Sequence, residues 1–255
     1  MIGSGKIRGA LLLIVASLFL CDHPGPLCAQ EVRAPFAYTW KIVLGQREIG
    51  RAVSHFVPGA DGPGPSLAET GRREFTAGFG PFIIHFREET EVVWDGSGLM
   101  TSFVSHGGVN GGLEERTALR DTDGAVTWKR IKNGTSDEKR FRPDDFDYTD
   151  ADRFLTRLLD ADKPKSLRIL SLSKGRIYRM TYRFAGWETA AIGGGTIRAA
   201  RMETDGPGGE GFLLIDDLGI AVSLTIQSLF GDFSFVPCDP GEIPAGFDPI
   251  ERSGR

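Results

Sequence analysis

From Phe36 onward, apolar and polar positions alternate with a period of two, which is the signature of half-buried strands. Phe36, Tyr38, Trp40, Ile42 and Leu44 fall on one face of an extended segment, with Ala37, Thr39, Lys41 and Val43 on the other. Gly45-Gln46-Arg47-Glu48 turns the chain and Ile49 to Val57 returns, ending in a Pro/Gly-rich loop over residues 58–65 that cannot continue a ladder. Arg72 to Ala77 predicts a short strand. Next, Phe82, Ile84 and Phe86 alternate with Ile83, His85 and Arg87, and Val92-Val93-Trp94 runs into the turn Asp95-Gly96-Ser97-Gly98. Leu99 to His106 returns, and Glu114 to Arg120 pairs with Ala125 to Ile131 across Asp121-Thr122-Asp123-Gly124. Asn133-Gly134 is a further hairpin signal, of the kind that needs positive φ.

One segment breaks the strand period. Ala151, Phe154, Leu155, Leu158 and Leu159 form an apolar stripe at helical spacing, with Thr149 as cap, Asp150 and Asp152 at the positive end, and Pro164 as the stop. The second half then resumes as a meander. Tyr178, Met180, Tyr182 and Phe184 share a face, and Ile220, Val222, Leu224 and Ile226 alternate with Ala221, Ser223, Thr225 and Gln227. Turn signals recur roughly every 8–12 residues, so the expected fold is all-β, with about 12–14 strands and one short helix. The short connections require antiparallel order. A sheet of that size is expected to form a large curled or barrel-like architecture that protects its edges.

The N-terminus changes the compartment. Lys6 and Arg8 precede an uncharged apolar run from Ala10 to Cys21, and Leu27-Cys28-Ala29 precedes Gln30. This is the layout of a secretory signal peptide over residues 1–29, and the run is too short for a membrane span of roughly 20 residues. Leu20 and Leu27, before the two cysteines, fit a lipid-anchor site poorly. Residues 30–255 are therefore expected to be a single β-rich domain with a Pro-rich C-terminal tail (237–255), periplasmic or secreted, with no transmembrane segment after cleavage. Of 3 cysteines, only Cys238 follows the leader, so no internal disulfide is possible and stability must come from the core. The formal net charge is −4, and loss of Lys6, Arg8 and Asp22 makes it one unit more negative. An acidic chain without a basic cluster argues against nucleic acid as a partner.

The order of features resembles a group of exported, β-rich bacterial proteins classified only as a domain-of-unknown-function family. The residues that carry the resemblance are Gly45-Gln46-Arg47-Glu48-Ile49-Gly50 after an aromatic strand, Glu91 and Trp94 ahead of a Gly turn, and Ser105 with Asn110-Gly111. They continue in Gly195-Thr196-Ile197-Arg198-Ala199-Ala200-Arg201 and in Leu214-Ile215-Asp216 before Gly219-Ile220. The resemblance spans most of the chain after the leader and implies a β-rich periplasmic protein without an assigned reaction. No catalytic residue carries across from it. The loop after Val57 departs from the pattern by being longer.

Candidate chemistry is sparse. His55, His85 and His106 lie in or beside strands without HExxH or HxH spacing, so no metal site is assigned. His85, Arg87, Glu89 and Glu91 share a face that is expected to be a solvated polar row. Asp144, Asp145, Asp147, Asp150 and Asp152 lack the Gly and closing Glu of a calcium loop. There is no G-x-S-x-G elbow, and Gly193-Gly194-Gly195 precedes a strand, where it cannot cradle phosphate on a helix N-terminus. No catalytic residue or cofactor is assigned.

What remains is an aromatic lining. Trp40, Tyr38, Phe86, Tyr178, Tyr182 and Phe184 are the expected ligand-binding residues, since an acyl chain of about fourteen carbons gains roughly 11 kcal/mol on burial at ~0.8 per methylene. The expected function is a non-enzymatic periplasmic protein that binds a lipid or other apolar or amphipathic envelope molecule, as a carrier or chaperone. The alternatives are an envelope assembly or scaffold protein with a protein partner, and a hydrolase of envelope glycan or ester with a cleft where His55 or His85 meets a carboxylate.

Overall fold

A computed structural model describes residues 34–59, 66–79, 81–161, 163–192, 195–228, 231–242 and 247. The signal-peptide segment, most of the Pro/Gly loop and most of the C-terminal tail lie outside the described residues. Eight strands form the first run: β1 (Phe36–Leu44), β2 (Arg47–Pro58), β3 (Leu67–Phe79), β4 (Phe82–Trp94), β5 (Met100–Val109), β6 (Glu114–Arg120), β7 (Val126–Lys132) and β8 (Thr135–Phe141). Seven form the second: β9 (Tyr148–Thr149), β10 (Lys165–Ser171), β11 (Arg176–Ile192), β12 (Gly195–Gly206), β13 (Gly209–Ile215), β14 (Ala221–Ile226) and β15 (Phe233–Pro237).

All fifteen belong to one sheet, in the order β8-β7-β6-β5-β4-β3-β2-β1-β15-β14-β13-β12-β11-β10-β9. Each run is a meander of hairpins, and the first and last strands, β1 and β15, pair antiparallel to join them. The pairing is antiparallel except between β9 and β10. The all-β antiparallel expectation therefore holds, with one strand more than the upper end of the expected range.

The barrel-like or curled closure is corrected. The ladder is open, with β8 at one end and β9 at the other, and these two strands do not pair. The physical reason lies in the end strands. Five of the seven residues of β8 are exposed, and Asp137, Glu138, Lys139 and Arg140 discourage another strand from adding. β9 is two residues long and offers almost no ladder. The ends meet instead through side chains and a turn. The Trp128 indole of β7 donates to the Leu172 carbonyl (2.6 Å) and Lys139 Nζ to the Gly175 carbonyl (3.2 Å).

The expected helix is also corrected. The apolar residues Ala151, Phe154, Leu155 and Leu158 are buried as their stripe predicts, but the segment is irregular, with a single 3₁₀ turn at Leu155–Leu158. Asp150 and Asp152 do not sit at a helix N-terminus. Asp150 Oδ1 accepts the Leu172 amide (2.9 Å), and Asp152 accepts the Met100 (2.7 Å) and Thr149 (2.6 Å) amides. Tying those carboxylates to strand backbone holds the segment against the sheet in a path that a helix could not follow.

Three connections are built alike: Asp95 to Leu99, Asp121 to Ala125 and Asp216 to Ile220. In each the Asp amide bonds the fifth residue's carbonyl at 3.0 Å and the Gly amide bonds the Asp carbonyl at 3.0 Å. The fourth position must reach positive φ, and Gly98, Gly124 and Gly219 do so at 81°, 86° and 73°. Inner-face side chains from both runs form one continuous core, in which Phe75 of β3 meets Phe233 of β15 edge-on at 5.8 Å. Three indole N–H groups secure it, from Trp128 as above, from Trp40 to the Val222 carbonyl (2.8 Å) and from Trp94 to the Ala151 carbonyl (2.5 Å).

Candidate functional site: a polar belt across the inner face

The core is interrupted by charge. On β3 the buried parity runs Leu67, Glu69, Arg73, Phe75 and Ala77, and on β4 it runs Phe86, Glu88, Thr90, Val92 and Trp94. Register then aligns these residues into rows across the strands. One row is Arg73, Glu88, Gly107, Glu114 and Lys132; the next is Ser54, Gly71, Thr90, Ser105, Arg116 and Arg130. Apolar rows flank this belt, with Phe75 and Phe86 on one side and Phe56, Val92, Phe103, Ala118 and Trp128 on the other.

Within the belt, each carboxylate is held by cations. Arg73 Nε donates to Glu88 Oε2 (2.7 Å), while Arg116 Nη1 (2.7 Å) and Ser105 Oγ (2.5 Å) donate to Glu88 Oε1. Arg116 Nε reaches Glu114 Oε1 (3.1 Å), and Lys132 Nζ reaches Glu114 Oε2 (2.5 Å). Burial alone would raise the Glu88 carboxyl, but Arg73, Arg116 and Ser105 outweigh it and hold Glu88 below the ordinary carboxylate range. Glu114 follows the same pattern, with Lys132 and Arg116 overcoming burial. Lys174, from the turn between β10 and β11, is pushed down to about 8 by burial and by the cations Arg176 and Arg116. Charged groups this deep persist because they are paired and hydrogen-bonded; such pairs are weak evidence for net stability.

Glu69 behaves differently. It stands in an apolar row, opposite Phe56 and Val92, and is 1% exposed. Neither carboxyl oxygen is held by a cation as those of Glu88 are, and the Ser54 hydroxyl is the neighbour that hydrogen-bonds the group. Burial pushes its pKa up to about 8, opposed by a hydrogen bond from Ser54 and by the Arg73 charge, so the group is a mostly neutral acid near pH 7. Polar atoms converge beside it over Gly71, where an added Cβ would lie 2.9 Å from Thr90 Oγ1, 3.1 Å from Ser54 Oγ and 3.2 Å from Glu69 Oε1. A pocket of about 30 Å³ adjoins this point, lined among others by Trp40, Ser54, Gly71, Arg73, Thr90 and Phe235. That volume admits a water or one polar group.

Two more buried acids face the second run of strands. Asp150 rises to about 7 through burial, opposed by the Leu172 amide and Ser171, and the nearby Tyr182 phenol is raised by burial and then by Asp150. Asp216 rises to about 7 through burial, opposed by the Tyr38 hydroxyl, which donates to Asp216 Oδ2 at 2.7 Å. On the outer face of β11 to β14 lies a second, open groove of about 470 Å³. Its arginines are engaged, Arg183 with Glu203 (2.9 Å), and Arg201 with Glu188 (2.9 Å) while it lies over the Phe212 ring at 3.9 Å.

The aromatic residues expected to bind ligand occupy separate places. Trp40 lines the pocket and is buried, with its N–H bonded. Tyr38 is half-buried beside it, ring centroids 6.1 Å apart. Phe86 is buried and stacked on Phe75 at 5.0 Å. Tyr182 is buried, edge-on to Phe154 at 5.4 Å, and its hydroxyl lacks a described partner. Phe184 is half-buried against Trp187 at 5.7 Å, and the half-buried Tyr178 ring lies under the Arg176 guanidinium at 4.6 Å. Of the six, Trp40 is among the residues that line the pocket beside Gly71, while Tyr178, Tyr182 and Phe184 stand on β11, several strands from β1 in the sheet order. His85 faces outward to Thr76 Oγ1 (2.9 Å), and His106 lies 3.7 Å from Glu115.

Glu69, Arg73, Glu88, Ser105, Glu114 and Arg116 were not legible as a site from the sequence. One signal was available: Glu88 has the same parity as Phe86, Val92 and Trp94, so a charge had to enter the core wherever those apolar side chains did.

Among the described residues no helix is long and apolar enough to cross a membrane, and no group of three or more metal-ligating side chains gathers. No protein-family model and no curated protein matches the chain. Among solved structures, the chain is similar to the crystal structure of a "beta-barrel-like protein of domain of unknown function DUF1849" from Brucella abortus. The two share 13% identity with a TM-score of 0.57, over 80% of this chain and 96% of the other. At that identity the likeness is one of fold, and it agrees with the resemblance to β-rich proteins of unknown function.

Proposed function

We propose that this chain is an exported, non-enzymatic binding protein that holds an amphipathic envelope molecule against the inner face of its sheet. The polar end sits at the pocket beside Gly71, which Ser54 and Thr90 line and Glu69 adjoins, and the apolar body lies along Trp40 and the flanking row that includes Phe86. The observation that carries this reading is Glu69. A buried acid kept for structure would be satisfied as Glu88 is by Arg73, Arg116 and Ser105, whereas Glu69 has the Ser54 hydroxyl beside it and no cation in contact, which leaves its neutral carboxyl with capacity for a further partner. A hydroxyl or amide headgroup suits a neutral carboxyl flanked by two hydroxyls. Export is supported by the charged, apolar and small-residue succession of residues 1–29.

The pocket admits one polar group of the molecule but not its acyl body, so seating the molecule requires the two ends of the sheet to part. Those ends are joined by the Trp128 and Lys139 contacts rather than by a ladder, which makes them the entry point in this proposal.

The test is native mass spectrometry of the chain purified from an exporting host without detergent, followed by solvent extraction. A co-purifying amphipathic molecule of defined mass is expected, and Gly71→Ala should eliminate it by placing a methyl group among the three polar atoms. A bare mass that stays unchanged after incubation with envelope lipids would overturn the carrier reading.

A further inference from the structure

A separate surface, at the tip of the β3–β4 hairpin, carries an inference of its own. The two strands pair with each other as far as Phe79 and Phe82, but β2 pairs with β3 only as far as Phe75 and β5 with β4 only as far as Phe86. About four residue pairs, or roughly 13 Å of hairpin at ~3.3 Å per residue, therefore project past the neighbouring strands. The base is braced by Asn110, whose side chain accepts the His85 amide (2.8 Å) and whose own amide donates to the His85 carbonyl (2.7 Å). From Phe75 to Ile84 the sequence contains no charged residue. Phe82 is 68% exposed and Ile83 59%, and Leu113, in the loop that follows Asn110, is 79% exposed.

We propose that this tip docks shallowly into the surface of a lipid bilayer. The area decides against a protein occupant: three side chains offer on the order of 400 Å², while a stable protein interface needs about 800 Å² per partner. A bilayer takes a convex apolar protrusion without requiring complementary shape. At an interfacial depth of roughly 5–10 Å, water and headgroups still reach the unpaired hairpin edges. Because the tip is uncharged, the attachment is apolar and depends little on salt or on lipid charge.

The test uses the chain expressed from Gln30, which retains every described residue, with vesicles of phosphatidylethanolamine and phosphatidylglycerol. Co-sedimentation is expected, little altered by added salt, and weakened about tenfold or more by Phe82→Asp with Ile83→Asp. Leu113→Asp should weaken it to a lesser degree. These side chains are more than half exposed, so each variant should keep the parental melting temperature. In Ile83→Trp, the indole introduced should be quenched by brominated lipid more strongly than that of the native Trp187. Absence of co-sedimentation, or equal co-sedimentation of parent and double variant, would overturn the proposal. So would a dimer that the double variant abolishes, which would assign the tip to a second copy of the chain.

Discussion

Replacing Glu69 by Gln isolates the energy of a single buried proton. In the folded chain burial holds the proton on this carboxyl up to about pH 8, while in the unfolded chain the group titrates near 4.5. Between those values the folded state binds more protons than the unfolded state. The stability associated with the neutral acid is therefore complete below about 4.5 and is lost as the pH rises toward about 8. At ~1.4 kcal/mol per pH unit, the rise from about pH 5 to about pH 8 removes roughly 4 kcal/mol. Gln keeps the shape and has no proton to lose, so Glu69→Gln should match the parent near pH 5 and exceed it by about that amount near pH 8. Urea unfolding followed by tryptophan fluorescence across this range measures the difference directly. Asp150 and Asp216, also raised by burial to about 7, weaken both proteins alike and cancel. Parallel stability curves for parent and variant would refute the assignment of Glu69 as a buried neutral acid.

Glu88→Gln removes the anion that the buried Arg73 and Arg116 guanidinium groups share, and should cost about 3–5 kcal/mol; at ~2–4 °C per kcal/mol, calorimetry should show the melting temperature fall by roughly 6–20 °C. An unchanged melting temperature would mean the belt is not paired as described. Gly175→Ala asks a residue at φ +58° to place a methyl group 2.5 Å from the Trp128 ring, a clash expected to cost about 2 kcal/mol or more; denaturant midpoints check it, and a neutral result would mean the two ends of the sheet are looser than their contacts imply. Asp152→Asn weakens the bond to Arg120 (2.5 Å) and those to the Thr149 and Met100 amides, a loss of about 2–4 kcal/mol. Hydrogen exchange should quicken at those two amides, and unchanged protection there would contradict the role given to Asp152.

How much of this was legible varies by element. The hairpins with Gly at the fourth position, at Asp95, Asp121 and Asp216, stand out in the sequence because few residues other than Gly accept the positive φ. The clean alternation in β1 and β14 appears because one of their faces is apolar and the other polar. β3 was underestimated, since Glu69 and Arg73 on its inner face and Arg72 and Glu74 on its outer face leave no contrast between parities. The segment from Thr149 to Leu159 misled in a different way: its apolar spacing reports burial, and burial was observed, but spacing cannot reveal that Asp150 and Asp152 are bound to the backbone of β5 and of the turn after β10.

By itself the sequence determined the all-β class, the antiparallel succession of hairpins and most of the buried aromatics, because alternation and turn chemistry act over a few neighbouring residues. Only the tertiary structure decided that β1 pairs with β15, that the ladder stays open between β8 and β9, and that Arg73, Glu88, Arg116 and Glu114 form a belt. Those outcomes depend on register between strands far apart in the chain. A charge entering the core is stable only when register delivers its partner, and Glu69, which register sets opposite Phe56 and Val92 and not opposite a cation, is held as a neutral acid instead.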